Sequence, residues 1–354
     1  MKESNKKWKF GIVGCGMIAD FHALAIASME NAQLVAVYGR NMDRASAFGA
    51  RHHCNCFTDF DEFLSSNTDI VTIATPSGAH LEPALAAAKS GKHIICEKPL
   101  EISEERILRM ITGCRDEGVI LSGIFNRRFN PAVFYLKEAI EEGRFGTIAL
   151  ADAQVKWYRD QAYYDSGQWR GTLKLDGGGA LMNQSIHTID LLLYLMGPVK
   201  RLAATMACLT HKNIEVEDTA VAILEFKNGA KGTIQGSTSC WSTNGHAAEI
   251  NICGDKGTVF MRDDIFAVWD FEETLPRDEK VKQELVKDTS KGLGANDPKA
   301  IDFSGHKQNF EDVIRALETG TSPMVTGEEA LKAVELINAI YKSAGNNGQW
   351  IELS

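Results

Sequence analysis

The 354-residue chain has no long apolar run. Nothing in it approaches the ~20 residues that a membrane span needs, so no membrane association is expected. It has no basic stripe either. The formal net charge is −9, and the only local basic cluster is Lys2, Lys6 and Lys7, a short tail that reads as solvated. Nucleic acid is therefore not an expected partner. The amino terminus, MKESNKKWKFGIVG, passes from charged residues straight into a strand pattern. It lacks an apolar h-region with a small-residue cleavage site, so no secretory signal is read and a cytoplasmic location is expected. The cysteines, at 15, 54, 56, 96, 114, 208, 240 and 253, lack the spacing of a disulfide framework. Cys15, Cys96 and Cys253 lie in or beside apolar strands, as buried thiols do in a reducing compartment. The run His52-His53-Cys54-Asn55-Cys56 has metal-ligating residue types. It lacks a second ligand pair at suitable spacing and falls where a short strand should run, so no metal is expected.

What is present is an ordinary globular composition, 44% hydrophobic and 24% charged. The length suits two domains. Over the first 125 residues, short apolar runs alternate with helical patterns. Strands fit Lys9–Val13, Leu34–Tyr38, Ile70–Ala74, His93–Cys96 and Val119–Ser122, with helices near 17–29, 42–50, 79–90 and 103–117. That alternation predicts a parallel sheet covered on both faces. Ser103-Glu104-Glu105-Arg106 reads as a helix start with acids in the first turn.

The pattern changes after about residue 127. A helix fits Pro131–Glu142 and a long strand fits Thr147–Tyr158. A loop rich in Tyr, Gly and Trp then runs to Gly179, followed by a helix over Asn183–Met196. Strands fit 199–210, 216–227, 230–240, 247–253 and 257–262. Turns such as Lys227-Asn228-Gly229 join them, which predicts an antiparallel sheet. Residues 272–300 read as a long charged surface excursion. Helices near 304–319 and 327–344 close the chain. The expected fold is an α/β Rossmann domain over 1–127 and an α+β domain with a large, mostly antiparallel open sheet over 128–354.

Gly14-Cys15-Gly16-Met17-Ile18-Ala19 carries G-x-G-x-x-A directly after a predicted strand and at the start of a predicted helix, the context a dinucleotide turn requires. Gly14 permits the tight turn, Gly16 lets the backbone approach a pyrophosphate, and Ala19 lets helix and strand pack closely. The helix start, with Met17 and Ile18, offers free N–H groups to the phosphates. The residue that selects the adenosine ribose should lie about 20 residues on. An Asp or Glu there would bond a 2′-hydroxyl and repel a 2′-phosphate. Tyr38-Gly39-Arg40-Asn41 stands there instead. Gly39 removes that repulsion, and Arg40 is placed to pair with a phosphate or stack on adenine, or else points into solvent. The cofactor is read as NAD or NADP, with a lean to NADP.

Ala74-Thr75-Pro76 and Cys96-Glu97-Lys98-Pro99 end the fourth and fifth strands, counting the short one near residues 54–56, where open α/β sheets place their ligands. Farther on comes Gly177-Gly178-Gly179-Ala180-Leu181-Met182-Asn183-Gln184-Ser185-Ile186-His187-Thr188-Ile189-Asp190. With the glycine turn, these residues resemble the Gfo/Idh/MocA family of glucose–fructose oxidoreductase and inositol dehydrogenase relatives, over nearly the whole chain. The resemblance implies hydride transfer between the nicotinamide and a hydroxyl-bearing carbon of a sugar, polyol or derivative. It implies that Lys98 and His187 are catalytic. It also implies that Thr75, Pro76, His80, Glu97, Asn126 and the Trp169-Arg170 pair border the cofactor. Tyr158, Arg159, Tyr163 and Tyr164 are expected to line a sugar pocket, or to form a packed or subunit-contact loop. The segment from Tyr158-Arg159-Asp160 through Trp169-Arg170-Gly171-Thr172 to Asp176-Gly177-Gly178-Gly179 is also similar to relatives acting on nucleotide-linked amino-sugar uronates. Arg159 and Arg170 would serve such an acidic substrate.

The residue chemistry agrees with these roles. A histidine titrating near ~6.5 can take the hydroxyl proton at neutral pH. A lysine ammonium can stabilise an alkoxide. Asn183, His187 and Asp190 are spaced to share a helix face, which makes Asn183 and Asp190 candidate substrate contacts, with Asp190 alternatively orienting His187. Many family members have Asp where Asn183 stands. An amide binds a hydroxyl but accepts no proton as a base, which leaves the proton to His187 and Lys98. Two other outcomes stay open: internal redox cycling on a retained cofactor, and a nucleotide-sensing regulator. A homodimer or homotetramer is expected from the resemblance, with Val221, Ile223 and Leu224 on an apolar sheet face.

Overall fold

In a computed structural model of the protein, which describes residues 6–287 and 303–353, the alternating segments of the amino-terminal part build a six-stranded sheet. Its elements are β1 (Trp8–Val13), α1 (Met17–Ala27), β2 (Ala32–Tyr38), α2 (Met42–His52), β3 (Asn55–Phe57), α3 (Phe60–Leu64), β4 (Ile70–Ile73), α4 (Leu81–Lys89), β5 (His93–Cys96), α5 (Glu104–Asp116) and β6 (Leu121–Gly123). The order is β3-β2-β1-β4-β5-β6, and every pairing is parallel. The order in which strands are added reverses between β1 and β4, the position where such sheets bind dinucleotides beyond their carboxyl ends. Both faces are covered, so Phe10, Ile12, Ile70, Ile73, Ile94 and Ile95 are all fully buried. Ser103 caps α5 by accepting from the Arg106 N–H, as its sequence predicts.

The chain divides into two compact units, and they are not contiguous in sequence. The first contains the chain through Asn126 together with the segment that ends at Leu331; the second contains the segment from Arg127 and the stretch from Lys332. From sequence, everything after 127 reads as one domain. The return has a packing cause. Phe310, Val313 and Ile314, from the helix Ser304–Thr319, lie in the same buried core as Phe10, Ile12 and Ile26.

The second unit opens with α6 (Pro131–Glu141), β7 (Ile148–Lys156) and α7 (Gln161–Asp165). A π-helical turn, Ala180–Ser185, leads into α8 (Ile186–Met196), which lies against β7. Then come β8 (Val199–Ala207), β9 (Thr219–Phe226), β10 (Lys231–Ser237), β11 (Glu249–Gly254), β12 (Gly257–Arg262), β13 (Ile265–Phe271) and α9 (Pro276–Leu285). The closing elements are α10 (Ser304–Thr319), α11 (Gly327–Gly345) and β14 (Ile351–Glu352). The second sheet has eight strands in the order β13-β12-β11-β7-β10-β9-β8-β14. It is antiparallel except where β7 and β10 run parallel. The expected architecture of both domains is therefore present.

Two expectations are corrected. Val221 and Ile223 are exposed at 41% and 48%, but Leu224 is 2% exposed, because strand alternation turns it to the opposite, covered face. Part of the expected charged excursion is the helix α9. It is held by buried Val281 and by Asp278, which accepts from Arg144 and from the Trp269 indole. The rest of that stretch, 288–300, lies outside the described residues.

Candidate active site

The dinucleotide turn is built as its glycines require. Gly14 has φ +117°, and a Cβ there would lie 2.6 Å from the Ala74 carbonyl oxygen. Gly16 is the N-cap of α1, and no side chain caps that helix. A Cβ on Gly16 would enter open space. The free N–H groups of the first turn, which includes half-buried Met17 and Ile18, thus face an opening bordered by glycine. Ala19 is fully buried against the sheet. One acid, Asp20, stands in the first turn, but Arg51 and His52 both pair with it at 2.7 Å, which blunts its repulsion of a phosphate. These residues fit a pyrophosphate.

Gly39 has a packing reason of its own. A Cβ there would lie 2.6 Å from Cys15 Sγ. Packing against the glycine turn thus adds a second reason for glycine at this position. Arg40 is exposed.

The loops after β4 and β5 are braced together. The Thr75 hydroxyl donates to the Ala79 carbonyl. His80 is buried, with Nε2 at 2.9 Å from the Thr75 carbonyl and Nδ1 at 3.0 Å from that of Pro99. Its ring fixes Thr75 and Pro76 against the loop that follows Lys98. Glu97 is also buried. Its oxygens accept from His22, His306 and the Lys98 N–H. Lys98 is half-buried, as is Asn126, which backs onto Gly305.

In the second unit, the glycines before His187 meet tight packing. A Cβ on Gly179 would strike the Glu217 carbonyl, and one on Gly178 would strike the Tyr341 hydroxyl. The Glu217 carboxylate accepts from the N–H groups of Gly179 and Leu181 and anchors the π-helical turn. Burial pushes that carboxyl up. Asn183 sits in this turn and His187 at the second residue of α8, so the two do not share a regular α-helical face. Asn183 donates to Asp176 at 2.6 Å and accepts from Gln184 at 2.8 Å. Gln184 donates to the Tyr163 hydroxyl and accepts from Arg159. Asp176 and Gln184, read from sequence only as motif members, are thus the partners that orient Asn183.

Two expected substrate contacts are corrected. Asp190 is 1% exposed, and both its oxygens accept from Arg128, at 2.7 and 2.9 Å. A buried bidentate pair of this kind holds the fold together. Tyr164 is buried, with its hydroxyl bonded to Thr238 and its ring edge-on to His211. Burial pushes its phenol well up. The remaining residues of this loop stand differently. Tyr158 is exposed, and Trp169 is half-buried. The guanidinium carbons of Arg159 and Arg170 lie 5.5 and 4.6 Å from the centre of the Tyr163 ring. Burial pulls the Arg159 pKa down, and the Arg170 charge lowers it further. Arg170 Nε is buried with no hydrogen-bond partner among the described residues.

A glycine turn at an uncapped helix start, at the switch point of a parallel sheet, defines a dinucleotide-binding domain. The chain belongs to the Gfo/Idh/MocA oxidoreductase family. Residues 8–125 match its "NAD-binding Rossmann fold" domain and 137–353 its "C-terminal alpha/beta domain". Over 352 residues, 96% of this chain and 98% of the relative, it is 27% identical to inositol 2-dehydrogenase of Rhizobium meliloti. It is 28% identical to the scyllo-inositol 2-dehydrogenase (NADP(+)) of Bacillus subtilis, over 95% of this chain and 97% of that one. Among solved structures, the WlbA dehydrogenase of Bordetella pertussis, in complex with NADH and UDP-GlcNAcA, is 35% identical. That match covers 99% of both chains with a TM-score of 0.89.

Proposed function

We propose that the protein is a dehydrogenase that oxidises a sugar hydroxyl with a nicotinamide dinucleotide, and that its substrate is a nucleotide-linked sugar acid. The observation that carries the substrate class is the convergence of Arg159 and Arg170 on Tyr163, beside the Asn183–Gln184 pair. Two guanidiniums so close repel each other, and an anion between them relieves that repulsion while accepting their charged hydrogen bonds. Likeness to a dehydrogenase solved with UDP-GlcNAcA supports this reading.

Gly14, Gly16 and the start of α1 would hold the dinucleotide, which would supply the hydride acceptor. The chain's own residues manage the proton. His187 takes the hydroxyl proton as the C–H bond breaks, and the Lys98 ammonium stabilises the oxygen as negative charge develops on it. Asn183, oriented by Asp176 and Gln184, binds a substrate hydroxyl without competing for that proton. For the choice between dinucleotides, the absence of a carboxylate at Gly39 and the exposed guanidinium of Arg40 support the lean to NADP. Free thiols throughout suit a reducing, cytoplasmic setting. The exposed side chains Leu150, Val221 and Ile223 of the second sheet suit a homo-oligomer.

The substrate class is tested by replacing each arginine. Arg159→Ala or Arg170→Ala should raise KM for UDP-GlcNAcA about 10- to 100-fold, the loss of one charged hydrogen bond. The effect on KM for UDP-GlcNAc, which carries the same diphosphate but no sugar carboxylate, should be several-fold smaller. Equal effects on both sugars would remove the carboxylate from the account.

A further inference from the structure

His22, Glu97 and His306 meet inside the first unit, brought there by α1, the end of β5 and α10. Glu97 Oε1 lies 3.0 Å from His22 Nε2 and 3.2 Å from His306 Nε2. Its other oxygen accepts from the Lys98 N–H at 3.1 Å. All three side chains are buried. An ionised carboxylate only accepts, so both imidazoles present Nε2–H to it. His22 Nδ1 is then an acceptor, and the Thr72 hydroxyl donates to it at 2.9 Å. The assignment is consistent at each of these contacts. Burial disfavours the carboxylate, but the two histidine bonds outweigh that and hold Glu97 well below the usual carboxyl range. Burial lowers His22, which keeps its ring neutral. The rings are themselves fixed. His22 stands edge-on to Phe310, and His306 stacks with Phe21.

We propose that His22 and His306 are positioning residues that, through Glu97, fix the backbone at Lys98 and tie it to the helix carrying the dinucleotide turn. Nothing in the proton chemistry assigned to Lys98 and His187 uses these two histidines. They act through Glu97 alone. His22 lies on α1, within two turns of Gly16, so one buried carboxylate joins the phosphate-binding end of the cofactor site to the lysine of the reacting end. His306 comes from the segment that returns to this unit late in the chain, which gives that return a purpose beyond packing.

The proposal rests on Lys98 belonging to the active site, so Lys98→Met is measured alongside. The test compares His306→Phe, which keeps a ring but loses the donor, with His306→Gln, whose amide restores a donor toward Glu97. Dinucleotide Kd is read by fluorescence titration, folding by thermal melting, and kcat and KM with UDP-GlcNAcA. His306→Phe should lower kcat about 10- to 100-fold, the scale of a small misplacement of a reacting group. Its dinucleotide Kd and its KM should stay within about threefold, and His306→Gln should recover most of the loss. If Lys98→Met abolishes turnover while His306→Phe stays near the wild type, the positioning role is wrong. It is also wrong if Gln is as impaired as Phe, or if the loss falls on dinucleotide Kd. If Lys98→Met itself keeps turnover, the active-site reading fails first. Should His306→Phe not fold, Glu97→Gln keeps the shape and removes the charge. A lowered kcat with unchanged KM then supports the role, and an unchanged kcat overturns it.

Discussion

At the scale of single residues, the site was legible where chemistry and local motif coincide. Lys98 stands in a four-residue run at a strand end, and His187 follows a glycine run, so both could be named without a structure. The account predicts that Lys98→Met and His187→Ala each lower kcat about 100- to 10,000-fold, as loss of proton transfer or charge stabilisation does. Dinucleotide affinity should stay nearly unchanged, and steady-state kinetics with a binding titration checks both. Near-normal turnover in both variants would remove these residues from the chemistry. Partners set by distant contacts were not legible. His306 is 209 residues from Glu97, and Arg128 is 62 from Asp190. Nothing in the local pattern around Asp190 distinguishes a substrate contact from a buried ion-pair partner, and its helical spacing from His187 suggested the former. Gly39 shows the same limit. Its missing side chain reads as a choice of cofactor, and contact with Cys15 Sγ supplies a second, packing reason that no local pattern shows.

At the scale of elements, the apolar runs and capping residues located most strands and helices of the first unit. The short strand β13 and helix α9 escaped. β13 borders a charged stretch that masks its alternation, and α9 is held by tertiary contacts of Val281 and Asp278. Its anchor makes a pH prediction. Burial alone raises the Asp278 carboxyl, but bonds from Arg144, the Leu275 N–H and Trp269 outweigh it and hold the group at about 2, below its ordinary 3.8. A depressed carboxyl contributes stability that is complete above the ordinary value and is lost as pH falls through the folded one. Melting curves of the wild type should therefore lose stability between pH 3.8 and about 2. Asp278→Asn should melt lower at neutral pH and show a flatter decline over that window. A parallel decline in both proteins would mean that the Arg144–Asp278 pair contributes nothing net. The π-helical turn was also not legible, because Asn183 and His187 fit ordinary helical spacing. Only the packing of Gly178, Gly179 and Glu217 shows why the helix starts with an extra residue per turn.

At the scale of the whole molecule, the change from strand–helix alternation to successive strands announced two sheets of different kinds, and both are present. The late return of α10 to the first unit was not announced, since an amphipathic helix does not say which core it joins. The open sheet leaves Leu150, Val221 and Ile223 exposed on one face. If that face joins subunits, Ile223→Asp should reduce the mass seen by sedimentation to that of a monomer, while a wild type already monomeric would dispose of the idea. The central claim is hydride transfer from a nucleotide-linked sugar acid. Its most direct test is absorbance at 340 nm when purified protein is mixed with UDP-GlcNAcA and NAD or NADP, with myo-inositol as the comparison. The account predicts formation of reduced dinucleotide with UDP-GlcNAcA, little with inositol, and none with Lys98→Met. Turnover of inositol with silence on UDP-GlcNAcA, or tight dinucleotide binding without turnover of either, would contradict the substrate class.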